Sequence, residues 1–231
     1  MEIIAHRGEW TNKEHPRLGN SFNAFTLALT HGYGVEIDIR DLSQELVISH
    51  NPANLSSPKL ADLLAYYRDN KCCSCLAFNV KADGLQPLLQ NLLSRFSISN
   101  YFTFDMSIPN TIVDASYGLQ YFLRQSEYEP DPSSLLSLYS QAKGIWVDQF
   151  QWNENVFAHN LSSLKKYLQE GKKVCWVSAE LHAWGRENNF YQQTWKRLKE
   201  TLQSSSLNLQ NLSICTDYPN FAKEVFLNER S

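Results

Sequence analysis

Apolar residues recur along the chain in short runs, separated by longer stretches with the 3.6-residue spacing of amphipathic helices. The runs at 2–6, 34–40, 75–81, 101–106, 120–125, 144–149, 173–179 and 212–217 predict eight strands. Helices are expected at 20–31, 58–69, 84–96, 108–116, 133–142, 160–170, 190–204 and 219–228. One strand, one helix and two short loops take about 29 residues, and strict alternation implies parallel strands joined by crossover helices. The pattern therefore predicts a (β/α)8 TIM barrel forming one domain over residues 1–231. A doubly wound open sheet would need a glycine-rich phosphate turn after its first strand, and HRGEWTNKEHPRLGN is not one.

Punctuation agrees with this layout. Asn20 and Ser21 offer N-caps to SFNAFTLALTHG, which closes on Gly32, and Gly171 stands where a C-cap glycine belongs.

Composition narrows the class. The 231 residues carry a formal net charge of −3 and no cluster of Lys and Arg, which argues against nucleic acid as a partner. No apolar run reaches the ~20 residues of a spanning helix, and MEIIAHRG lacks the marks of a signal peptide. The five cysteines, an odd number, fit a reducing, cytoplasmic setting better than a disulfide framework. Cys72, Cys73 and Cys75 lack a second pair of ligands at zinc-site spacing.

Candidate chemistry concentrates in GVEIDIRDLSQELVISH, residues 34–50. Alternation puts Val35, Ile37 and Ile39 on one face of a strand and Glu36, Asp38 and Arg40 on the other. Two carboxylates sharing a partly dry face need a counter-charge. Arg40 is one source, and a hard divalent cation is another. The remaining strand ends are polar too, with His6 and Arg7, Asn79 and Lys81, Asp105, Arg124, Asp148, and then Glu180 and His182. In a barrel these ends form the active face. Structural pairing or capping is the better expectation for Asp148, Asp217 and Glu127. Trp146, Trp176 and Trp195 are expected in packed layers, while Trp152 and Trp184 lie past strand ends.

His6-Arg7-Gly8, Asn20-Ser21 with Ala24-Phe25, Glu36-x-Asp38 and His50 follow in order. This series resembles the glycerophosphodiester phosphodiesterases of the phospholipase-C-like phosphodiesterase group, with their HRG opening, PENT-x-x-AF helix start, E-x-D strand and HD turn. The resemblance covers the first ~80 residues motif by motif and extends to the closing TDYP. It implies that His6 and His50 are general acid and base, and that Glu36, Asp38 and Asn79 hold Mg²⁺ or Ca²⁺. It further implies a small-molecule phosphodiester as substrate. Arg7 and Lys81 would face its phosphate, and Arg124 and His182 are further candidates for substrate contact.

Three positions depart from the pattern. Gly19 stands for the glutamate of PENT, Asn51 for the aspartate after the second histidine, and Asn79 for the third metal-binding glutamate. The chain also moves from His50 almost directly into NPANLSSPKLADLL, without the cap many relatives insert there, so glycerol is not the default headgroup. Two other expectations stay open: a silent barrel that binds a phosphorylated ligand or partner, and a transfer that stops at a cyclic phosphate.

Overall fold

The computed structural model describes residues 1–8, 19–203 and 207–227. His15 and the last positions of the helices expected at 190–204 and 219–228 lie outside them. The strands are β1 (Glu2–Ala5), β2 (Gly34–Leu42), β3 (Glu45–Ile48), β4 (Leu76–Val80), β5 (Tyr101–Phe104), β6 (Phe122–Gln125), β7 (Gly144–Val147), β8 (Lys173–Val177) and β9 (Leu212–Thr216). They form one sheet in the order β5-β4-β2-β1-β9-β8-β7-β6, with β3 on β2 outside that path. The helices are α1 (Phe22–Thr30), α2 (Leu60–Asp69), α3 (Gln86–Phe96), α4 (Ile108–Ser116), α5 (Ser137–Gln141), α6 (Glu154–Gln169), α7 (Ala183–Arg186), α8 (Tyr191–Gln203) and α9 (Pro219–Phe226). The eight expected strands are all present, parallel and interleaved with helices, which is the order of a (β/α)8 TIM barrel. No helix among the described residues is long and apolar enough to cross a membrane.

The described residues fall into two compact units. The first in sequence, Ile4–Tyr121, contains Ile4 and Ala5 of β1, with β2 to β5 and α1 to α4. Its core is Val35, Ile37 and Ile39 of β2, Leu76, Ala77 and Phe78 of β4, and Phe25, Leu60, Leu63 and Leu64 from the helices. Helix α1 starts as its sequence predicts: Ser21 Oγ accepts the Ala24 N–H at 3.2 Å, and Ala24, Phe25, Ala28 and Leu29 form the buried stripe. Gly32, with φ +78°, ends it.

The other unit is Phe122–Ser231 with Met1–Ile3. Here Trp146, Trp176 and Trp195 are buried, as expected. A polar network runs through this core. Gln125 donates to Asn160 Oδ1 at 2.8 Å, Asn160 donates to the Asp148 carbonyl at 3.1 Å, and the Tyr167 hydroxyl donates to Gln125 Oε1. Each buried polar group in that chain thereby gains a partner, which its desolvation demands.

Two differences from the sequence reading matter. Helix α6 begins at Glu154, earlier than the expected 160, because Asn153 caps it by accepting from the N–H groups of Asn155 and Val156. Strand β3 was not foreseen as a separate element. It pairs antiparallel with the far end of β2, Ile39 opposite Ile48 and Leu42 opposite Glu45.

Candidate active site

The site grows from the end of β1. Gly8 N–H bonds back to the Ala5 carbonyl at 3.1 Å, and Arg7 takes a left-handed φ of +58°. That conformation costs a non-glycine residue about 1 kcal/mol. In return, Arg7 N–H points at Glu36 Oε2, 3.1 Å away. Gly8 is also left-handed, and a Cβ there would stand 2.7 Å from the Ala24 carbonyl carbon in α1. Only glycine lets this turn approach the helix so closely.

Parallel pairing sets Asp38 of β2 opposite Asn79 of β4. Glu36 and Asp38 are 1% and 0% exposed, so both carboxylates are withdrawn from water. Burial pushes the Glu36 carboxyl up to about 7, and the neighbouring Asp38 charge adds to the rise. His6, Arg7 and a hydrogen bond from the Asn79 side chain pull the other way. His6 Nε2 lies 3.9 Å from Glu36 Oε2.

Asp38 collects most of the positive charge. Its Oδ2 accepts from Asn20 Nδ2 at 2.7 Å and lies 3.2 Å from Arg7 Nε. Its Oδ1 lies 3.4 Å from Lys81 Nζ, an ion pair without hydrogen-bond geometry, and Lys81 also stands 3.5 Å from Asp105 Oδ2. Thus His6, Arg7, Glu36, Asp38, Asn79 and Lys81 converge, all within one unit. Asn20 and Asp105 join them. The sequence offers both Asn20 and Ser21 as caps for α1; Ser21 fills that role, which leaves the Asn20 side chain for Asp38.

The same unit places His50 two residues beyond β3. Ser49 N–H bonds to the Asp38 carbonyl at 3.0 Å, which ties this turn to the strand bearing the carboxylates. The His50 ring is exposed, and Asn51 Oδ1 lies 3.2 Å from its Nδ1. Arg40 does not pair with the carboxylates of its own face. Its Nε and Nη2 donate instead to the His50 carbonyl, at 3.3 and 3.1 Å.

Arg124 and His182 belong to the other unit and have partners there. Arg124 Nε pairs with Glu129 Oε2, and its guanidinium lies 5.4 Å from the Phe150 ring centre. His182 Nε2 is 2.7 Å from Asp148 Oδ1, so Asp148 orients this imidazole and also accepts the Gln149 N–H. Trp152 and Trp184 pack on one another at 5.3 Å. Glu127 has a structural role, accepting from the Phe150 and Gln151 N–H groups of the loop after β7.

The donor set can be tested against a divalent cation. Asp38 Oδ1 and Asn79 Oδ1 are both buried without a hydrogen-bond partner, beside the fully buried Glu36. Hard oxygen donors left unsatisfied at paired positions of adjacent strands fit Mg²⁺ or Ca²⁺. The set is lean. No group of three or more His, Cys, Asp or Glu side chains among the described residues could hold an ion, so such a site rests on two carboxylates and one amide oxygen.

No family model and no curated protein sequence matches the chain. Solved structures do. A candidate glycerophosphodiester phosphodiesterase from Galdieria sulphuraria aligns over 98% of both chains with TM-score 0.71 and 16% identity. An Oleispira antarctica phosphodiesterase, solved with its product sn-glycerol-3-phosphate, aligns over 99% of this chain and 97% of its own, with TM-score 0.66 and 14% identity. A 7,8-dihydropteroate synthase from Vibrio fischeri aligns over 98% and 91%, with TM-score 0.55 and 11% identity. The chain has the TIM-barrel fold that these proteins share. Because that fold hosts both chemistries, function has to be argued from the site.

Proposed function

We propose that this protein is a phosphoric diester hydrolase acting on a glycerophosphodiester or a related lipid or sugar phosphodiester, with Mg²⁺ or Ca²⁺. The observation that carries the reading is the convergence of His6, Arg7 and Lys81 on the buried Glu36–Asp38 pair. A phosphodiester anion repels nucleophiles, so its hydrolysis needs concentrated positive charge and two proton transfers. Arg7 and Lys81 supply the charge, and both are partly exposed where a phosphate can reach them. His6 and His50 serve the proton transfers: one imidazole takes the proton of the attacking water and the other protonates the departing alkoxide as its P–O bond breaks. An unperturbed imidazole titrates near neutrality and suits either role.

A cation held by Glu36, Asp38 and Asn79 would add Lewis-acid neutralisation of the phosphate. Asn20 and Arg7 orient Asp38 for that purpose. The likeness to the phosphodiesterase solved with sn-glycerol-3-phosphate supports a small phosphorylated polyol as product. Five free thiols support a cytoplasmic setting.

The test is hydrolysis of bis(p-nitrophenyl) phosphate and of glycerophosphodiesters, with and without EDTA and with Mg²⁺ or Ca²⁺ restored. Turnover should vanish on chelation and return with metal, and His6→Ala or His50→Ala should each lower kcat about 100-fold or more. Undiminished activity in the double variant would overturn the assignment of the histidines. Absence of turnover on every diester, together with binding of glycerol phosphate, would favour a silent phosphate-binding barrel.

A further inference from the structure

Arg40 stands two residues beyond Asp38 on the same side of β2, the face that carries the site's carboxylates, where its guanidinium could pair with them. It goes elsewhere. Both Nε and Nη2 donate to a single acceptor, the main-chain carbonyl of His50. No other hydrogen-bond or ion-pair partner of Arg40 occurs among the described residues.

We infer that Arg40 is a positioning residue for the reaction proposed above, acting through His50. His50 sits in an exposed turn beyond the last residue of β3, where little packing holds it. Four contacts compensate, one of them the approach of Asn51 Oδ1 to His50 Nδ1 at 3.2 Å. Ser49 N–H reaches the Asp38 carbonyl, Ser49 Oγ donates to the Asn51 carbonyl at 2.8 Å, and Arg40 grips the His50 carbonyl itself. Of these, only the Arg40 contact bonds to His50 directly through a charged group, and charged hydrogen bonds are about twice as strong as neutral ones. Its anchor is the strand that carries Glu36 and Asp38. Arg40 therefore fixes the distance between the exposed imidazole and the buried carboxylates, and a proton-transfer group displaced by about 1 Å can lose 100-fold in rate. A lysine at this position could make only one such bond, and with less directional control.

This inference rests on the catalytic reading of His50, and the experiment separates the two. Arg40→Met, Arg40→Lys, His50→Ala and the Arg40→Met/His50→Ala double variant are assayed on bis(p-nitrophenyl) phosphate with metal present. Amide hydrogen exchange across residues 47–51 is measured on the wild type and on both Arg40 variants. Arg40→Met should lower kcat about 10- to 30-fold with KM within about twofold, and Arg40→Lys should recover part of the loss. In the His50→Ala background the same substitution should cost less than about twofold, since the residue it positions is gone. An equal loss in both backgrounds, or an unchanged kcat in Arg40→Met, overturns the inference. If His50→Ala proves as active as the wild type, the catalytic reading of His50 fails, and the inference with it. If no diester is turned over at all, exchange decides on the clamp: about tenfold faster exchange at Ser49 in Arg40→Met upholds it, and unchanged exchange overturns it.

Discussion

Asn20 and Asp38 are joined twice, although eighteen residues separate them: Asn20 Nδ2 donates to Asp38 Oδ2 at 2.7 Å, and the Asp38 N–H reaches Asn20 Oδ1 at 3.4 Å. Asn20 has a left-handed φ of +61°. Asn20→Gly keeps that backbone accessible while removing both bonds, so it isolates the side chain. It should destabilise the protein by about 1–3 kcal/mol in chemical denaturation, the usual cost of taking a donor from a buried acceptor. Metal affinity, read by calorimetry, should fall as well, because Asp38 loses the neighbour that orients it.

Gly8→Ala tests the turn after β1. The new methyl would meet Ala24 and Phe25 backbone atoms at 2.7–2.8 Å, and φ at this residue is +85°. A clash with a helix backbone cannot be relieved by rotating a side chain. The expected loss is at least about 2 kcal/mol in thermal or chemical denaturation. Activity of the folded fraction should fall too, since His6 and Arg7 immediately precede the displaced residue.

Asn79→Glu places a third carboxylate beside Glu36 and Asp38. Without metal, three like charges in a dry setting should lower stability; with Ca²⁺ or Mg²⁺, affinity should rise about tenfold or more in calorimetric titration. Unchanged affinity would remove Asn79 from the set of ligands.

Glu180 gives a pH signature in the other unit. It is fully buried and accepts from Ser178 Oγ, Thr216 Oγ1 and the Asp217 N–H. Burial raises its carboxyl above the ordinary 4.5, an effect larger than the opposing pull of those donors. Above that pH the unfolded chain releases the proton while the folded protein still holds it, so this residue's contribution to stability declines as pH rises. Glu180→Gln should flatten the decline of stability as pH rises above the ordinary carboxylate value of 4.5, measured by denaturant titration at a series of pH values.

The strands were legible because each carries the residues its surroundings require. Val35, Ile37 and Ile39 alternate with charged residues, and the short runs ending at Val80, Phe104 and Val177 are apolar enough to lie in a sheet covered by helices. The β2–β3 hairpin was harder to read. Its turn residues, Ser43 and Gln44, have φ of +51° and +65° without the Asn or Gly that usually announces such a turn. Among the site residues, the E-x-D pair and Lys81 could be anticipated from strand periodicity, which fixes the face of a side chain. Arg40 could not, because its partner is a backbone carbonyl, and a sequence carries no mark of which carbonyl a guanidinium will find. Asp105 was visible as a polar strand end, yet its link to Lys81 depends on the left-handed φ of +69° that ends β5.

Beyond His50 the chain makes a small turn of its own, in which Ser57 N–H bonds to the Asn54 carbonyl and Asn54 Oδ1 accepts from Ser56. The sheet resumes its hold at Pro58, whose carbonyl accepts the Ile48 N–H. Leu55, at 96% exposure, marks the outermost point of this excursion. Everything that secures His50 is complete at Asn51, and everything that starts α2 begins at Pro58. The segment between them can thus be lengthened or exchanged with little strain on either side, so an insertion there should leave both His50 and the start of α2 in place.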